Sequence, residues 1–175
     1  MEVLIESVCS DSETPLVRDA ASYSIKEFLD WTIKQSPDSI LWENAAVPDF
    51  LFQKLRALAT HPSAKQRLGA AMICNTIYRS LRNCEPLKSL FTLDLFAHFL
   101  VSLSMADKDG TEVGTQEQCE LAVCNLGRIV YNNKNIFSVP HPQRRTAPLL
   151  FKGTISELNE LLMRHVFSEH VRTRR

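Results

Sequence analysis

Proline stands at the edges of the apolar runs in this 175-residue chain, so the runs read as a series of helices with marked starts. Thr14 followed by Pro15 supplies an N-cap and a first-turn proline, opening a helix to about Gln35 with Val17, Ala21, Ile25, Phe28, Leu29 and Ile33 as its apolar positions. Ser36 to Val47 reads as a connector. Pro48 opens the next helix, in which Phe50, Leu51, Leu55, Leu58 and Ala59 recur at steps of three and four. It ends before Pro62, because a proline drives the residue before it, His61, out of helical geometry. From Pro62 to about Asn83 the apolar residues Ala64, Leu68, Ala71, Met72, Ile73, Ile77, Tyr78 and Leu81 cover more than one stripe, the pattern of a helix touched on several sides. Gly69 within it costs about 1 kcal/mol relative to alanine, which the close approach of a neighbouring backbone would offset.

Glu85 and Pro86 open a fourth helix, deeply packed through Leu87, Leu90, Phe91, Leu95, Phe99 and Leu103. The loop DKDGTEVG follows, and Thr115 with Gln118 forms a capping-box pattern ahead of Cys119, Leu121, Ala122, Leu126, Ile129 and Val130. A basic linker at about 132–153, with three prolines, argues against any regular element. Thr154 with Glu157 then caps a last helix striped by Leu158, Leu161, Leu162 and Val166. These signals divide the chain into a flank over 1–13 with a short helix near Val3 to Val8, a helical-repeat domain over 14–170, and a loose tail over 171–175. The expected fold is all-α: about six helices stacked as antiparallel pairs in a HEAT-like α-solenoid, with a helical bundle as the alternative. No strict internal repeat is visible in the sequence.

Twenty basic and twenty acidic residues cancel, so no net field gathers nucleic acid or an anionic membrane. No run reaches the roughly 18 consecutive apolar residues of a membrane span, and the first residues lack a secretory pattern. The expectation is an intracellular, soluble chain without membrane partners. Of the five cysteines, Cys74, Cys119 and Cys124 sit in apolar helical patterns and read as reduced, buried thiols.

Phosphate chemistry needs a glycine-rich loop, and neither GxGxxG nor GxxxxGK[ST] occurs; the HRD and DFG signatures of a kinase are also absent. Catalytic, cofactor-binding and metal-ligating residues are therefore all expected to be none. Cys119 and Cys124 lie five apart, which turns their thiols about 140° from each other on a helix, a poor start for zinc. Cys84 with His61 or His98 lacks an orienting third group for nucleophilic catalysis. Arg144 and Arg145 are the core of the one internal basic cluster, suited to phosphate or DNA contact but without an aromatic platform. Thr115 precedes Gln116, a dipeptide open to phosphorylation, although its N-cap role competes.

The stretches FLDWTIKQ from Phe28, LATHPSAKQRLGAAMICNTIYR from Leu58 and LVSLSMADKDGTEVGTQEQCELAVCNLGRIV from Leu100 carry a resemblance to a family. In order, from about Glu27 to Val166, the chain resembles the helical-repeat region of the DNA-dependent protein kinase catalytic subunit family, within the phosphatidylinositol-3-kinase-related kinases. The resemblance implies a HEAT-repeat segment preceding a nuclear serine/threonine kinase head that acts in double-strand-break repair by non-homologous end joining. It implies ATP and magnesium in that head, which is absent from these residues. The implied partners are the remaining repeats and the head, the Ku heterodimer and DNA ends. Thr115-Gln116 matches the substrate dipeptide such kinases prefer. No catalytic residue carries over. The function expected is a non-catalytic scaffold segment. A free-standing helical-repeat adaptor for a partner peptide is the alternative, and a small cysteine-dependent enzyme the third class.

Overall fold

The computed structural model describes residues 1–10, 14–35, 46–109 and 114–138, together with Ser156 and Glu160. Among the described residues the regular elements are the helices α1 (Glu2–Cys9), α2 (Pro15–Gln35), α3 (Ala46–Ala59), α4 (Ala64–Asn83), α5 (Glu85–Ala106), α6 (Thr115–Asn132) and α7 (Lys134–Phe137). The Thr14 hydroxyl oxygen accepts the Val17 backbone N–H at 3.4 Å and so caps α2. Pro48 falls within the first turn of α3, where its missing N–H leaves no bond unmade. α4 starts later than Pro62 suggests, at Ala64 with Ser63 as N-cap; the Ser63 N–H is donated to Nδ1 of His61 at 3.1 Å. The capping box expected at Thr115 does not form. Gly114, at φ 71°, is the N-cap, and this left-handed turn is one that glycine adopts without strain.

Consecutive helices pair, α1 on α2, α3 on α4 and α5 on α6. Helices of the same layer run in one direction. Phe52 of α3 stacks on Phe91 of α5 with ring centroids 4.3 Å apart, and one turn further on Arg56 bonds Asp94. Thr115 at the start of α6 meets Ala64 at the start of α4, and about three turns along, Asn125 meets Asn75. Ser80 of α4 donates to Asp30 of α2, and Glu2 of α1 pairs with Lys54 of α3 at 2.7 Å. The fold is thus three helical hairpins stacked in two layers, α1, α3 and α5 in one and α2, α4 and α6 in the other. This is the helical-repeat arrangement. Contacting residues in the even layer lie 50, 50 and 51 positions apart, whereas the odd layer has separations of 52 and 38. Two unequal periods leave no single repeat to find in the sequence.

α4 touches α1, α2, α3, α5 and α6, which explains why its apolar residues exceed one stripe. α5 is buried on nearly every side, from Leu87 to Ala106. It alone among the described residues is long and apolar enough to cross a membrane, but 83% of its apolar window is buried inside the fold. Buried Lys88, Asp94 and His98 along it mark a core helix.

The stretch read as a flank holds α1, whose Ile5, Val8 and Cys9 are buried. Within the segment read as an unstructured linker, α7 forms and Phe137 is fully buried; the apolar pair Ile136 and Phe137 continues the inward face of α6 and overrides the nearby prolines. Of the helix expected from Thr154, Ser156 and Glu160 are helical and exposed. Its other residues and the 171–175 tail lie outside the described residues.

Gly69 faces Cys9 of α1. A Cβ there would stand 3.1 Å from the Cys9 Cα and overlap its Sγ, so the close neighbour expected of this glycine is the end of α1. Gly69→Ala is expected to destabilise the chain by about 1–3 kcal/mol through overpacking, despite alanine's better helix propensity. Urea unfolding would check it; a variant more stable than the parent would contradict the contact.

Candidate binding surface

Three polar contacts, two of them buried and one partly buried, fix the layers that present this surface. Arg67, only 2% exposed, donates through one guanidinium nitrogen to the carbonyl oxygens of His61 and Pro62, each at 2.6 Å, and through the other to Asp109 just past α5. It therefore ties the α3–α4 turn to the exit of α5. Asp94, 1% exposed, accepts from Arg56 at 2.9 Å, and Nδ1 of His98 lies 2.7 Å from the Asp94 backbone oxygen. Asp30 accepts from Lys26 at 2.7 Å and from Ser80. Burial pushes the Asp30 carboxyl up, but these two hydrogen bonds and the charges of Lys26 and Lys34 outweigh it and hold it below the usual carboxylate range.

The even layer carries a groove of about 510 Å³, lined by Asp19, Tyr23 and Lys26 of α2, Met72, Asn75, Thr76, Tyr78 and Arg79 of α4, and Gln118 of α6. A second hollow of about 330 Å³ shares Lys26 and Arg79 and continues between α2 and α4 past Asp30, Ile33 and Ser80 to Asn83 and Cys84. Side-chain amides run across the floor. Nδ2 of Asn125 donates to Oδ1 of Asn75 at 3.2 Å, and Nδ2 of Asn75 donates to Oε1 and the backbone oxygen of Gln118 at 3.0 and 3.1 Å. With Gln118 Oε1 held in this way, its Nε2 is left to donate elsewhere. The arrangement offers hydrogen bonds and charge to a ligand and holds no catalytic pair.

The residues singled out in the sequence do not converge on this surface. Arg144 and Arg145 lie outside the described residues. Thr115 is 1% exposed and donates to the Ala64 carbonyl oxygen at 3.4 Å, so the folded chain hides its hydroxyl from a kinase. Among the described residues that line the second hollow, Cys84 has no histidine with it, while His98 is buried along α5 and His61 is exposed before α4. Arg67 and Asn125 were missed, yet a signal existed. Arg67 lies three residues after Ala64 and four before Ala71, and Asn125 three after Ala122 and four before Ile129, so each is a polar residue on an apolar stripe.

The cysteines divide differently from their apolar setting. Cys74 and Cys119 are buried, Cys119 within 3.3 Å of the Ser102 hydroxyl, but Cys124 is exposed. It stands on the outer stripe of α6 beside Leu121 and Arg128, which corrects its expected burial. Burial pushes the Cys74 and Cys119 thiols up and takes Cys9 to about 11, so their thiolates are scarce at neutral pH. A thiol-reactive disulfide reagent at neutral pH is expected to label Cys124 at once and Cys9, Cys74 and Cys119 only on unfolding. Rapid labelling of Cys74 in the folded chain would contradict the packing of α4.

The family model for the DNA-dependent protein kinase catalytic subunit, CC1/2, matches residues 1–167. The DNA-dependent protein kinase catalytic subunit of Gallus gallus is 35% identical over 130 residues, covering 74% of this chain and 3% of that protein. That of Mus musculus is 31% identical over 169 residues, 94% of this chain and 4% of its own length. That of Dictyostelium discoideum is 30% identical over 90 residues, 51% of this chain and 2% of its own. This chain thus spans a few hundredths of the length of the relatives it matches.

Proposed function

The chain belongs to the DNA-dependent protein kinase catalytic subunit family, as a non-catalytic helical segment of its CC1/2 region, and on that basis we propose that it serves as a scaffold in double-strand-break repair by end joining. One observation carries the scaffold reading. The α2 edge of the stack leaves Leu16, Tyr23, Phe28 and Trp31 exposed, Tyr23 at 63% and Trp31 at 56%, with Phe28 and Trp31 stacked 6.0 Å apart. A solenoid whose end helix shows so much apolar surface is completed by a further repeat. We assign that role to neighbouring repeats of the same polypeptide, with ATP and magnesium held by a kinase head beyond this segment, in the nucleus. Ku and DNA ends are the partners of the assembled protein in this reading, and Arg144 and Arg145 a phosphate contact within it.

Sequencing full-length transcripts across the gene tests the proposal. Reads that continue in frame from this segment into a kinase head support it. Mature transcripts that encode this segment with no kinase head would instead favour the free-standing adaptor, for which the even-layer groove is the supporting feature.

A further inference from the structure

One face of α6 carries charges that its own surroundings leave unpaired. Cys119 turns inward, its thiol 3.3 Å from the Ser102 hydroxyl of α5. Leu121 and Arg128 lie about 160–180° around the helix from it, so the exposed stripe of Glu117, Leu121, Cys124 and Arg128 faces out of the even layer rather than along the stack. Glu117 and Glu120 are exposed and three residues apart with no basic residue within a turn, a spacing at which like charges repel. Arg128, also exposed, has no acidic residue within a turn. None of the three has an ion-pair partner among the described residues. On this face α6 is acidic toward its start and basic toward its end. That order suits the helix's own dipole, and an antiparallel copy of the same helix matches it charge for charge.

We propose that this face pairs two copies of the chain, α6 against α6, antiparallel about a two-fold axis beside Cys124. Leu121, Arg128 and Glu117 lie about 60°, 40° and 20° around the helix from Cys124, all on one side. Such an axis brings that side of each copy together and reverses height along the helix. Arg128, about 6 Å along the helix from Cys124, then stands within about 1.5 Å of the height of Leu121 of the other copy and about 4.5 Å from that of its Glu117. The aliphatic stem of Arg128 covers that leucine and the guanidinium reaches that carboxylate, once from each copy. Tyr131, whose ring already carries Lys134 at 4.1 Å, stands outside the contact. A parallel pair sets Arg128 level with Arg128, and a nucleic-acid strand meets Glu117 and Glu120. A single helix pair falls short of the roughly 1,200 Å² of a permanent interface, so the association is weak and concentration-dependent. The pairing goes beyond the scaffold reading and does not rest on it; transcript structure decides that reading, and self-association of the chain decides this one.

Sedimentation velocity of the whole chain is the test. Between about 10 μM and 1 mM the weight-average mass is expected to rise from one copy toward two. Arg128→Glu and Glu117→Arg, both at exposed positions and checked by an unchanged melt, should each weaken self-association by about tenfold or more. An equimolar mixture of the two variants should restore pairing, since each supplies the charge that the other has lost. Copper–phenanthroline in air, which joins two thiols as a disulfide while oxygen is reduced, should trap the wild-type pair and fail to trap Cys124→Ser. A monomer throughout the range, failure to trap the wild-type chain, pairing indifferent to both charge changes, or a mixture no better than its components would each overturn the proposal. So would pairing that is lost with Trp31→Ser on α2 but kept by both α6 variants.

Discussion

Leu95→Asp is expected to abolish the cooperative thermal melt of the chain. Leu95 is fully buried near the middle of α5, the helix packed against α3, α4, α6 and α7. A carboxylate placed there loses its hydration, and it adds a second negative charge one residue from Asp94, which already claims Arg56. Burying an unpaired charge costs several kcal/mol, a large part of the 5–15 kcal/mol by which a domain is stable. Leu68→Asp in α4, where the leucine keeps 8% exposure, is expected to act in the same direction with a smaller loss. Circular dichroism on heating checks both, and a melt unchanged in the Leu95 variant would mean that α5 is not the centre of the fold.

Arg67→Ala is expected to cost about 3–5 kcal/mol, the range for removing one partner of a buried ion pair. The substitution leaves Asp109 and the carbonyl oxygens of His61 and Pro62 without their donor. For a chain of this size the loss corresponds to a fall in Tm of roughly 6–20 °C. Nε of Arg67 and Oδ2 of Asp109 lack hydrogen-bond partners among the described residues, so the pair itself is imperfectly satisfied. Arg67→Met with Asp109→Leu should therefore recover most of the stability lost by Arg67→Ala. A double variant no better than Arg67→Ala would assign the staple to the two carbonyl contacts.

The helices were legible where the cause of a start or stop is local. Thr14 with Pro15 marks α2 because an N-cap and a fixed φ act within one turn, and in α5, which lacks a side-chain cap at Cys84, the first-turn Pro86 alone carries the signal. The signals failed where tertiary contacts compete. Thr115 has the spacing of a capping box, yet its hydroxyl reaches Ala64 on another helix, and Gly114 makes the turn instead. Phe28 and Val17 lie in apolar positions of α2 but remain 42% and 40% exposed, because α1, α3 and α4, its packing partners among the described residues, do not cover that face. The groove was not legible at all. It depends on α2 and α4 running parallel and on amides 43 and 50 residues apart meeting across α4 and α6, and no local pattern reports such separations. Arg144 and Arg145 lie outside the described residues, so they stand where the sequence left them.

The scaffold proposal is tested most directly by joining of a single chromosomal double-strand break in cells of the source organism whose gene carries Leu95→Asp, beside cells carrying the exposed-surface change Tyr131→Ser. The account predicts that end joining falls to the level of the gene deletion in the first and stays normal in the second, although neither residue touches a reacting group. Normal joining with Leu95→Asp, when the purified variant chain is shown to be unfolded, would contradict it.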